Sequence, residues 1–102
     1  MSNRAEKKKA FAAKLAAMRR DYLKRLPQTL GEARAALDEG DLRRLAEIAH
    51  TLRGTGGSYR IAGLVPLTTK LEKACEARSE VRARRAVDGL DELVARTLSE
   101  LD

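Results

Sequence analysis

Phe11, Leu15, Met18, Tyr22 and Leu26 follow one another at spacings of four, three, four and four residues, which places them on one face of an α-helix. The same rhythm governs the rest of the chain. Leu30, Ala33 and Leu37 share a face ahead of Gly40, and Leu42, Leu45, Ala49 and Leu52 make the next stripe. Leu64, Leu67, Leu71, Ala74 and Cys75 define a fourth segment; Val87, Leu90, Val94, Leu98 and Leu101 define the last. A helical period sustained through five segments, with no run of alternating residues, points to an all-α fold.

The breaks carry helix punctuation. Pro27 is expected to end or kink the first segment and to suit the first turn of the second. Gly40 is the expected terminator of the second, and Asp41 a good N-cap for a third helix from about Leu42 to about Gly56. Pro66 is tolerable in the first turn of the fourth helix, and the fifth starts near Glu80. The economical assembly is an antiparallel up-and-down four-helix bundle over residues 27–102, with an additional basic N-terminal helix over residues 1–26 packing on or capping it. At 102 residues this is a single domain, with enough helices to complete a bundle alone, so a monomer is expected.

Composition removes several function classes. A lone Cys75 excludes an intrachain disulfide and a cysteine-based zinc cage. One histidine and one cysteine on different helices do not make a metal-ligand set. No apolar run approaches the roughly 20 residues that span a bilayer. The chain begins with charge rather than an apolar signal, so a cytoplasmic location is expected.

The net charge of +6 is local in origin: Met1 to Arg25 holds nine basic and two acidic residues, whereas the remainder holds 12 and 13. Such a run reads as a solvated face, a dock for an acidic protein, or a nucleic-acid or membrane contact. Phe11, Tyr22 and Tyr59 are the only aromatics, too few to favour stacking on single-stranded bases. The expectation is no nucleic-acid and no membrane partner. A basic nucleic-acid-binding module or a purely structural adaptor bundle remains the alternative.

His50 is the only histidine. At roughly 100° per residue it points about 140° away from the centre of the Leu42, Leu45 and Leu52 stripe, so it belongs on the solvent side of its helix. Its neighbours at i−4, i+3, i+4 and i+7 are Ala46, Arg53, Gly54 and Gly57. Three of the four are tiny. Each glycine within a helix costs about 1 kcal/mol relative to alanine, a cost that clears room around the imidazole or lets another helix approach closely. Gly56 lies nearer the apolar stripe and is better explained by packing. Arg53, one turn on, is placed to hydrogen-bond an anion carried on the ring. A neutral imidazole is nucleophilic near neutral pH, and positioning plus charge stabilisation is what phosphoryl transfer asks of a protein.

These residues carry a family resemblance. Gly40-Asp41-Leu42, followed by Ala49-His50-Thr51-Leu52-Arg53-Gly54-Thr55-Gly56-Gly57-Ser58-Tyr59, resembles the signature of histidine phosphotransfer (HPt) domains, in which a Gly-Asp turn leads into a helix reading A-H-x-L-[KR]-G-x-x-G. Leu64, Leu67, Leu71 and Glu72 match the helix packed beside it, and the Leu26-Pro27 break also fits. The resemblance implies that His50 is the phosphorylated residue, Arg53 its basic partner, and Gly54 and Gly57 the clearance glycines. Glu72 matches a family position facing the histidine; it either orients the imidazole or is an ordinary exposed glutamate. Ala46, Tyr59 and Arg60 fall on the clearance and docking rim. Arg60 departs from the pattern, since many members have a third glycine there.

The implied role is a phosphoryl carrier between aspartates of response-regulator receiver domains, with a hybrid sensor histidine kinase as a further partner. No cofactor of its own is implied, because Mg²⁺ belongs to the receiver. Gly54-Thr55-Gly56-Gly57 lacks the strand and lysine of a P-loop, so the chain is not expected to be a kinase.

Overall fold

The computed structural model describes residues 2–101, which form four α-helices and, among the described residues, no strand. They are α1 (Ser2–Asp38), α2 (Leu42–Ser58), α3 (Leu64–Glu76) and α4 (Glu80–Ser99). None is long and apolar enough to cross a membrane. The helices close a ring in which α1 and α3 each pack against both α2 and α4. The apolar stripes meet inside it: Leu23, Leu26, Leu30, Leu45, Leu52, Leu64, Leu71, Val87 and Leu90 are all at most 3% exposed. Cys75 is buried among them, as expected of a small hydrophobe.

Contacts between neighbouring helices run in opposite sequence order. Arg34 of α1 pairs with Asp88 and Asp91 of α4, whereas Asp38 pairs with Arg84. Tyr22, early in the packed part of α1, meets Thr55 near the end of α2. Three-residue links at 39–41 and 77–79 leave little other choice, because so short a connection returns the chain along its neighbour.

Three helix ends share one geometry. Asp41 N–H donates to the Ala36 carbonyl and Gly40 N–H to that of Leu37, with Gly40 at φ +72°. The same pair of bonds closes α2 at Arg60 and Ile61, and α3 at Arg78 and Ser79. This closure requires a left-handed residue, for which glycine is the usual choice. Arg60 and Arg78 adopt it at φ 53° and 55°, a conformation that costs a side-chain-bearing residue roughly 1–2 kcal/mol. Arg60, the one departure from the pattern of the resemblance, which has glycine there, is thus at a left-handed position, and α2 still ends there. Asp41 and Ser79 cap the next helices by accepting from the backbone N–H of Arg44 and Arg82.

The expected break at Pro27 does not occur: α1 is one helix through it, and the five expected helices are four. A mid-helix proline forfeits one hydrogen bond and costs about 3 kcal/mol. Here Pro27 is exposed, while Leu23, Leu26 and Leu30 around it are buried. Burying three leucines at about 1.5–3 kcal/mol each outweighs the proline. Nor does the start of α1 pack on or cap the bundle as a separate element. Residues 3–18 are all exposed, including Phe11, Leu15 and Met18. At 1.5 Å per residue, a helix of 37 residues is about 55 Å long, which accounts for the 57 Å long axis of the molecule.

Candidate functional site on the exposed face of α2

Leu45, Ala49 and Leu52 point α2 into the core, which turns His50 outward. Its side chain is 73% exposed. A Cβ added to Gly54 would meet nothing within 4 Å, and one on Gly57 would only touch Val65 Cγ2 at 3.6 Å. Neither glycine is therefore needed for close helix packing, and both leave the approach to the imidazole open. Gly56 differs: a Cβ there would lie 2.1 Å from Leu64 Cδ2. It is buried, and the close approach of α2 to α3 depends on its lacking a side chain. Ala46 is half-buried against the core, so it adds no bulk beside the ring.

The neighbouring α3 contributes the charge. Glu72, a half-buried residue with its side chain 19% exposed, accepts a 2.9 Å hydrogen bond from Arg53 Nε through Oε1. The same oxygen lies 3.8 Å from His50 Nδ1, beyond hydrogen-bond range but the nearest anion to the ring. Glu72 is thus not an ordinary exposed glutamate; it sits between the imidazole and the guanidinium. Arg53 spends its Nε on this pair, and among the described residues its terminal amino groups have no ionic partner. Three residues along α3, at Cys75, burial and the nearby Glu72 and Glu76 carboxylates push the thiol up, which keeps it protonated and inert.

On its other side α2 is tied to α1. The Tyr22 and Thr55 hydroxyls are hydrogen-bonded at 2.6 Å, and the Tyr22 ring stacks on Tyr59 with centroids 4.8 Å apart. Tyr59 is half-buried and caps α2, so it belongs first to the joint between helices, while Arg60 is fully on the surface. Burial raises the Tyr22 hydroxyl above its ordinary range, against the lowering effect of the Thr55 bond. The sequence reasoning places Tyr22 on an apolar stripe and Tyr59 on the docking rim, but misses the joint they form with Thr55. Its signal was available: a tyrosine on a buried seam needs a partner for its hydroxyl.

The structure thus brings together His50, Arg53, Glu72, Gly54 and Gly57 on one open surface, and sets Tyr59 and Arg60 at its end. Residues 17–100 match the family model described as Hpt domain. No curated protein and no solved structure matches the chain.

Proposed function

The chain belongs to the Hpt domain family, whose members are histidine phosphotransfer carriers of two-component phosphorelays rather than kinases, and we propose that it accepts and donates the phosphoryl group through His50. The observation that carries this reading is the exposed imidazole on a rigid helix with no bulk at Ala46, Gly54 or Gly57. Nothing on α2 itself obstructs a second protein bearing an aspartyl phosphate. The opposite contact order of the helices supports an antiparallel up-and-down bundle as the scaffold.

In this reading Nδ1, the nitrogen nearer Glu72, keeps its proton toward the carboxylate. The Nε2 lone pair is then left free and attacks phosphorus. The N–P bond forms as the bond from phosphorus to the receiver's aspartate oxygen breaks, and that carboxylate takes the electron pair. Glu72 faces the positive charge that develops on the ring. The terminal nitrogens of Arg53, held by the Nε–Glu72 bond, face the phosphoryl oxygens. Transfer to a second receiver reverses these steps. Mg²⁺ and the rest of the catalytic apparatus belong to the receiver. The protein acts as a monomer in the cytoplasm, with receiver domains and a hybrid sensor histidine kinase as partners.

The test is phosphoryl uptake from chemically phosphorylated receiver domains, read by intact mass after an alkaline quench. Wild type gains one phosphoryl group, and His50→Gln gains none while keeping its helicity. Uptake by His50→Gln overturns the assignment. Arg53→Ala slows transfer about tenfold, the loss expected of one charge-assisted contact; wild-type rates would remove Arg53 from the mechanism.

A further inference from the structure

Over residues 3–18 α1 is exposed, and as far as Arg20 it carries Arg4, Lys7, Lys8, Lys9, Lys14, Arg19 and Arg20 against a single acid, Glu6. None of these cations is ion-paired among the described residues. Phe11, Leu15 and Met18 are 64%, 45% and 42% exposed, and most of this arm lies ahead of the family match, which starts at residue 17. An uncovered apolar stripe set among unpaired cations is the surface of a helix with an acidic partner.

The direction of the stripe narrows the partner further. Lys7, Phe11, Lys14 and Met18 follow at intervals of four, three and four, and the same line continues through Tyr22, Arg25 and Thr29. Those last three residues line the groove against Thr51 and Thr55 of α2. The arm therefore extends, beyond the end of α2, the side of α1 that borders the His50 helix. Leu15, Ala16 and Arg19 meet Ser58, Tyr59 and Arg60 in a notch where arm and bundle end come together. From His50 to Ser58 at the edge of that notch is eight residues, about 12 Å along the helix, well inside the footprint of a standard protein interface.

We infer that this arm is a second wall of the docking surface, and that it clasps an acidic face with an apolar centre on the receiver domain that exchanges phosphoryl groups with His50. The inference rests on the phosphotransfer reading and names what selects its partner. The arm sets encounter and affinity, and His50 with Arg53 and Glu72 sets the chemistry. A second copy of the chain is a poor occupant, because it would bring seven more cations to seven. A flat bilayer is poorer still, because the stripe opens on the side where α2 lies and the bundle end holds a plane away from it.

The test compares wild type with the combined variant Phe11→Ser, Lys14→Glu, Met18→Ser, using the phosphorylated receiver that wild type uses fastest among those assayed. The substituted residues are exposed, so circular dichroism stays unchanged. The maximal transfer rate is also unchanged, the receiver concentration for half-maximal rate rises about tenfold or more, and the salt dependence of transfer weakens. A half-saturating concentration within about twofold of wild type overturns the inference. Sedimentation as a wild-type dimer lost in the variant, or loss of binding to phosphatidylglycerol vesicles, would in that case reassign the arm to a second copy or to lipid. Failure of the underlying reading is a different result: no receiver phosphorylates wild type at all, and both proposals fall together.

Discussion

At the residue scale, three glycines within four positions do different things. Gly54 faces open space, Gly57 meets one methyl group at van der Waals distance, and Gly56 is filled against Leu64. The sequence already sets Gly56 apart, nearer the apolar stripe, and substitutions should separate the three in practice. Gly54→Ala adds helix propensity of about 1 kcal/mol with nothing to hit, so its thermal midpoint rises. Gly56→Ala drives a methyl group into Leu64 and forces α2 and α3 apart, a loss of roughly 1–3 kcal/mol. Paired chemical denaturation of the two variants checks the contrast; equal stabilities would mean that the helices do not approach as closely as described. Glu72 is the other residue whose meaning depends on its place. Its half-burial and its position between His50 Nδ1 and Arg53 Nε turn an exposed imidazole and a guanidinium into a site with a preferred orientation.

At the element scale, α1 shows that tertiary packing overrides a strong local rule. Pro27 was the best reason to divide the helix, yet the leucines on either side of it lie on a single buried seam, and interrupting the helix would pull them out of register. If the proline is tolerated rather than required, Pro27→Ala restores the missing N–H bond on an exposed face. The gain is the roughly 3 kcal/mol of the proline defect less up to about 1 kcal/mol from a freer unfolded chain. A stabilisation near 2 kcal/mol by urea denaturation is expected, and a destabilised variant would show that a bend at Pro27 is needed for packing. The arm ahead of the seam owes its helicity to the same element. Its alanines, lysines and leucine are good helix formers, and it propagates from a turn already fixed by the core, so the nucleation cost is met.

At the scale of the whole molecule, the four helices form one closed ring with an asymmetric extension. The joint that connects the two parts is Tyr22, hydrogen-bonded to Thr55 and stacked on Tyr59. Burial raises its folded-state pKa above the ordinary value of about 10, so the folded protein favours the protonated phenol. That contribution to stability is complete below pH about 10 and is lost as the pH climbs through the raised value. Denaturation midpoints should therefore fall above pH 10 in wild type and fall less steeply in Tyr22→Phe. In Tyr59→Phe, tyrosinate absorbance should report the remaining tyrosine titrating later than a free one; a midpoint at or below 10 would mean that the joint is open in solution.

Sequence alone determined what depends on period and on local stereochemistry. The 3.6-residue rhythm gave the helical class and the inward stripes of α2, α3 and α4, with boundaries within a few residues. Asp41 and Gly40 marked a helix boundary because capping is decided by the few residues that form it. The outward direction of His50 and the smallness of its neighbours were legible for the same reason, since positions on one helix are related by rotation alone. Tertiary structure decided whatever requires two elements at once. It joined Arg53 to Glu72 across 19 positions and Tyr22 to Thr55 across 33, and it supplied Leu64 as the side chain that Gly56 makes room for. It also overruled Pro27 and left Phe11, Leu15 and Met18 uncovered, because a periodic stripe specifies a face but not a neighbour to bury it.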